Sequence, residues 1–152
     1  RDPVAEVRRS MIVPYSAHEM YALASDVGRY QEFLPWCSTS SILESGDNHT
    51  LAQVGIAYKG WKTTFTTQNH MVEDQSIQMM LDEGAAFETL EGVWRFKSLD
   101  ALACEVMLDV NFSLSGPLGN KMLGPIFSRI CAELIDAFVA RAKELYGERA
   151  FA

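Results

Sequence analysis

The sequence predicts an α+β fold in which a curved antiparallel β-sheet wraps around one long C-terminal helix. Three observations lead there. From Cys104 to Leu114, apolar Cys104, Val106, Leu108, Val110, Phe112 and Leu114 alternate with mostly polar Glu105, Met107, Asp109, Asn111 and Ser113. A period of two marks a strand with one wet face. Upstream, short runs of β-forming residues are divided by tight-turn signals, the pattern of a meander. Downstream, Leu123, Phe127, Ile130, Leu134, Phe138, Ala142 and Leu145 recur at spacings of three and four, the stripe of an amphipathic helix.

In chain order, Val4 to Val13 reads as a strand ended by Pro14. Ser16-Ala17-His18-Glu19 is a capping box, so a short helix starts there and runs to about Asp26. Gly28 breaks it, and Arg29 to Leu34 forms a second short helical turn stopped by Pro35. Ser38 to Glu44, Leu51 to Tyr58 and Trp61 to Val72 follow as strands, with Gly46-Asp47-Asn48 and Lys59-Gly60 as their turns. Ser76 to Leu81 and Leu90 to Lys97 come next, the latter with Leu90, Gly92, Trp94 and Phe96 on one face. After the Cys104 strand, Gly116-Pro117-Leu118-Gly119 breaks the chain and a helix runs from about Asn120 to Tyr146. At ~1.5 Å per residue it spans about 40 Å, enough to cross a whole sheet. A strongly bent sheet does not touch a straight helix everywhere, which leaves a gap for a ligand.

Residues 1–152 read as one domain, since no repeat, low-complexity tract or linker divides them. The net charge of −7 and the lack of any basic run argue against DNA and against docking on anionic membrane by charge alone. The three cysteines are too far apart for a zinc or disulfide framework and read as buried free thiols, which points to a cytoplasmic location. His18, His49 and His70 share no ligand spacing, so no metal site and no cofactor is expected. No apolar run reaches the roughly 18 residues of a membrane span. The start, Arg1-Asp2-Pro3, lacks a signal-peptide pattern, and the missing initiator Met leaves a removed leader open.

Four segments carry a family likeness: Val13-Pro14-Tyr15-Ser16-Ala17, Arg29 to Cys37, Phe65-Thr66-Thr67-Gln68-Asn69, and Leu90 to Phe96. With Leu134-Ile135-Asp136-Ala137-Phe138 on the long helix, they resemble the polyketide cyclase/dehydrase family of START-like, helix-grip proteins. The branch they are most similar to holds coenzyme Q-binding proteins and ribosome association toxins. Where that family often has Gly-Pro-Phe, this chain has Ala85-Ala86-Phe87. The resemblance implies a lipid chaperone that holds ubiquinone or a related hydrophobic lipid between sheet and helix and supports respiration. Peripheral contact with the inner membrane would accompany such a role. The same resemblance implies a rival: a toxin that binds the large ribosomal subunit and inhibits translation initiation.

The cavity-lining candidates are Phe33, Leu34, Trp36, Phe65, Phe87, Leu90, Trp94, Phe96, Val110, Phe112, Leu123, Phe127, Ile130 and Leu134. A ligand pocket is mostly apolar with a few convergent polar groups, and Asn69 and Arg95, from the matched motifs, are the head-group candidates. Phe33 to Trp36 reads equally as a gate or as a plug. No catalytic residue is assigned. The carboxylates fall mostly in turns, and the inward faces are almost wholly apolar, so an enzyme is the weakest of the three readings.

Overall fold

The computed structural model describes residues 4–151, so Arg1-Asp2-Pro3 lies outside it. Strand β1 spans Ala5–Val13 and is followed by helix α1, Ala17–Ser25, and a short 3-10 helix, Val27–Glu32. Six strands follow: β2 (Cys37–Gly46), β3 (His49–Tyr58), β4 (Trp61–Val72), β5 (Ser76–Glu83), β6 (Phe87–Asp100) and β7 (Ala103–Leu114). A π-helical turn, Gly119–Leu123, leads into α2, Gly124–Tyr146. The long helix predicted from Asn120 therefore begins as a widened turn. Pro125, in the first turn of α2, needs no partner for its missing amide hydrogen.

The seven strands form one antiparallel sheet in the order β1-β7-β6-β5-β4-β3-β2. Strands β2 to β7 are a meander, and the two short helical elements carry the chain from β1 at one edge to β2 at the other. The sheet bends because its ladders slip. Register shifts occur between Thr66 and Thr67, between Phe87 and Thr89, and between Ser98 and Asp100. Each bulge adds a residue to one strand and turns it.

Helix α2 lies across the concave face and is seated on two aromatic clusters. At its N-terminal end Phe127 meets Phe112 and Phe87 at 4.7 and 5.0 Å between ring centres, and Phe65 continues the chain 5.1 Å from Phe87. Nearer its C-terminus Phe138 stacks on Trp94 at 5.0 Å and meets Tyr30 and Phe33 edge-on at 5.4 Å. Phe127 and Phe138 are three turns apart, about 16 Å along the axis.

The chain end is tied back to α1. Tyr15 donates a hydrogen bond to the Gly147 carbonyl at 2.8 Å, and Gly147 leaves the helix with φ 90°, a value that suits glycine. Arg149 forks onto both oxygens of Glu19 at 2.7 and 2.9 Å. Glu19 also accepts the Ser16 amide at 2.8 Å, which completes the expected capping box. The Arg149 guanidinium, with the Ser16 amide behind it, holds the Glu19 carboxyl below its ordinary value of 4.5. A carboxyl lowered by folding contributes stability that is whole above that ordinary value and is lost as pH falls through the folded one. Urea melts should therefore show Glu19→Gln less stable than the parent at neutral pH, with the gap closing below about pH 4.5. A gap that stays constant to pH 3 would refute this coupling.

Candidate functional site

Between the two aromatic seats the helix and sheet do not meet, and a hollow of about 100 Å³ remains. Ile130, Cys131 and Leu134 of α2 form its roof, with Phe127 and Phe138 at its two ends. The floor is the concave face of the sheet. The register aligns Val110, Gly92, Met79 and Asn69 side by side across β7, β6, β5 and β4. Gly92 is what opens this row: a Cβ there would lie 2.9 Å from Met79 Cε and 3.5 Å from Val110 Cγ2. A strand glycine without a turn to make marks a place where something else needs the space. Ala52 and Val54 of β3, Phe65 and Thr67 of β4, and Leu90 and Trp94 of β6 complete the floor. Val27, Tyr30 and Trp36 close the side beyond β2 and β3.

No wall residue carries a charge. Tyr30 spends its hydroxyl on the Ala24 carbonyl, and burial pushes its ionisation well above the ordinary value of 10.0. The hydroxyl and amide of Thr67 and Asn69 are paired: Thr67 donates to Asn69 Oδ1 at 2.7 Å, and both residues are buried. Burial pushes the Cys131 thiol up to about 12 and the Cys104 thiol up to about 11, and Cys37 is raised for the same reason. Thiolates are the reactive form, so the site holds no activated nucleophile. Among the described residues no cluster of three His, Cys, Asp or Glu is placed to hold a metal ion. His18 instead pairs with Asp74 at 2.7 Å on the surface.

Of the sequence candidates, Trp36, Phe65, Leu90, Trp94, Val110, Phe127, Ile130, Leu134 and Asn69 stand in the wall. The others do not. Phe87 and Phe112 sit behind Phe127 as its seat. Phe96 packs edge-on to Tyr21 at 5.9 Å, beyond Trp94. Leu34 is a buried plug, and Phe33 turns outward to a surface depression beside Arg141 and Tyr146. Leu123 belongs to the π-helical turn and borders a separate surface groove. Arg95 is the clearest correction. It faces Ser76 and Met107 on the outer side of the sheet, opposite Trp94, and is exposed. It cannot meet a head group in the hollow.

Several wall residues were missed. Thr67 shares its strand face with Asn69, so alternation alone would have found it. Gly92 and Phe138 were placed on the right faces but not recognised as walls. Ala52, Val54, Leu108 and Cys131 are ordinary core residues in sequence, and nothing local distinguishes them.

A bent antiparallel sheet, a long helix laid in its grip and an uncharged hollow between them define a START-like protein of the helix-grip class. Residues 13–139 match the family model described as polyketide cyclase / dehydrase and lipid transport, and the chain belongs to that family. It is 43% identical over 141 residues to the ribosome association toxin RatA of Pseudomonas aeruginosa, covering 93% of this chain and 97% of that protein. It is 24% identical to the mitochondrial coenzyme Q-binding protein COQ10 homolog B of Xenopus laevis, covering 95% of this chain and 60% of that one. Among solved structures, the Zhui aromatase/cyclase from Streptomyces sp. R1128 superposes with a TM-score of 0.85 at 18% identity, over 97% of this chain and 98% of that one. That likeness is one of fold.

The buried thiols give a direct check on the packing. At pH 8 a small alkylating reagent should leave Cys104 and Cys131 unmodified in the native protein and label all three cysteines after denaturation. Rapid native labelling of Cys131, read by mass spectrometry, would contradict a closed roof.

Proposed function

We propose that this chain associates with the ribosome and restrains translation through the large subunit. The observation that carries the reading is the 43% identity to a ribosome association toxin across nearly the whole of both chains. The family also includes cyclases by its description; the hollow supports a binding protein over an enzyme, because none of its wall residues is a charged acid or base.

The net charge of −7 opposes RNA, so any contact with ribosomal phosphates needs a local exception. The outer face over β1, β7 and β6 supplies one. Arg8 and Arg95 border a shallow depression there with Ser10, Val93, Met107 and Asp109, while Arg9 pairs with inward-facing Leu108 and sits at the rim of the edge strand. Arg8 Nε sits 3.4 Å from Asp109 Oδ2, while Arg9 and Arg95 have no carboxylate partner among the described residues. Asp109 Oδ1 is the one sealed side-chain polar atom without a partner among those residues. The Arg95 guanidinium beside the Arg8–Asp109 pair suits a phosphate-rich surface.

A second reading, a carrier of ubiquinone or a related lipid, is favoured by the hollow itself and by the distant likeness to a coenzyme Q-binding protein. Size opposes it in this conformation. Ligand pockets usually measure roughly 300–1,000 Å³, so a prenylated quinone needs the Trp36 side to open. No helix among the described residues is long and apolar enough to cross a membrane.

Sedimentation through sucrose gradients separates the readings. The protein should migrate with purified large subunits and reduce their joining to small subunits. Arg8→Glu with Arg95→Glu should weaken that association by about tenfold or more, and the parent's affinity should fall with salt at a log–log slope of about −2. Protein that stays at the top of the gradient at low salt overturns the ribosomal reading.

A further inference from the structure

His49 and His70 are far apart in sequence, and the sheet brings them face to face. His49 opens β3 and pairs with His70 near the end of β4. Both are exposed, in the outward row that runs on through Gln78 to Val93. The Met71 amide donates to the Asn48 carbonyl at 2.8 Å. Asn48 and Met71 are therefore a hydrogen-bonded pair, and His49 and His70, next along the ladder, are not. Residues opposite each other in a pair of the second kind stand about 4.5 Å apart between Cα atoms, with their side chains closest. One ring is also held in place. His49 Nε2 meets Gln68 Oε1. Gln68 Nε2 donates to Asp82 Oδ1 at 3.1 Å, and Thr66 donates to Asp82 Oδ2 at 3.1 Å. A carboxylate only accepts, so Asp82 draws the NH₂ of Gln68 and turns its carbonyl oxygen toward His49. His49 is then the donor at Nε2, and its Nδ1 keeps the lone pair. His70 makes no side-chain hydrogen bond among the described residues.

We propose that His49 and His70 form a two-imidazole surface site for a divalent transition-metal ion, zinc above all, with Gln68 orienting His49 from behind. The site lies apart from the hollow and from the arginine-lined depression, and it depends on neither reading above. Three features set the class of ion. Imidazole nitrogens suit zinc, copper and nickel, whereas magnesium and calcium want oxygen. A ligating histidine ordinarily gives its other ring N–H to an oxygen that fixes its tautomer, which is what Gln68 does here. Charge also favours a cation. The outward neighbours Gly46, Gln78, Glu44, Leu51 and Met80 bring one carboxylate and no lysine or arginine, within a chain of net charge −7. Two imidazoles fill half of a tetrahedral zinc shell and leave the rest to water or to a donor from outside the chain. The bound ion would join the start of β3 to the end of β4, so metal binding adds to the stability of the fold. Spacing along the chain hides such a site, because its ligands meet only through the ladder.

The test titrates the untagged full chain with zinc chloride, read by calorimetry and by NMR of the histidine side chains. One ion should bind per chain. It should move the His49 and His70 resonances and leave those of His18, which is held by Asp74, in place. Magnesium should move none of them. His49→Gln and His70→Gln should each weaken zinc by about tenfold or more, and Gln68→Leu, which only frees the ring, should give a smaller loss in the same direction. Affinity should also fall on acidification, because both ligands bind as neutral imidazoles. Both histidines are exposed, so the variants should melt with the parent in the presence of a chelator, while zinc raises the melting temperature of the parent alone. Zinc that binds equally well to the parent, His49→Gln and His70→Gln overturns the site, as does a shift at His18 instead, or no saturable binding at millimolar zinc. If both histidine variants lose zinc and Gln68→Leu binds as the parent does, the pair stands and the orienting role of Gln68 is wrong.

Discussion

Everything in this protein depends on helix α2 being held at two points. Phe127 rests on Phe112 and Phe87, and Phe138 rests on Trp94 with Tyr30 and Phe33 beside it. Each aromatic contact adds about 0.5–1.5 kcal/mol beyond the area it buries. The clusters are far enough apart that a straight helix and a bent sheet separate between them. A sheet without its bulges would be flatter, and side chains would close the space.

What remains between the seats is set by small choices. Gly92 leaves out a side chain at the middle of the floor, and Met79 fills only part of the room this creates. Protein interiors pack nearly as tightly as organic crystals, so a residual space of about 100 Å³ is a departure that costs stability. Filling the hollow with larger apolar residues would be easy in sequence terms. The hollow and the arginine-lined depression lie on opposite faces of the same sheet, yet they share strands: Val93 and Arg95 face outward where Gly92 and Trp94 face inward.

Much of the fold was legible because its determinants are local. Alternation from Cys104 to Leu114, the Ser16–Glu19 capping box and the apolar stripe of the C-terminal helix each follow from neighbouring residues. The π-helical turn was not, since nothing in Gly119 to Leu123 distinguishes it from an ordinary first turn. For the site, pattern yields the face of a residue but not its depth. Phe87 and Phe112 point inward as read, but they are covered by Phe127 and never reach the space. Arg95 was readable against the grain: the alternation that puts Trp94 inside puts Arg95 outside. The motif likeness drew it inward, and the pleat of the strand overrules it.

The central physical claim is that an open apolar space persists between the two seats in solution. Xenon enters dry apolar cavities and is repelled by filled ones. A crystal pressurised with xenon should show a single interior atom bordered by Trp94, Phe127 and Leu134. Unbroken side-chain density across that volume, with no interior xenon, would contradict it.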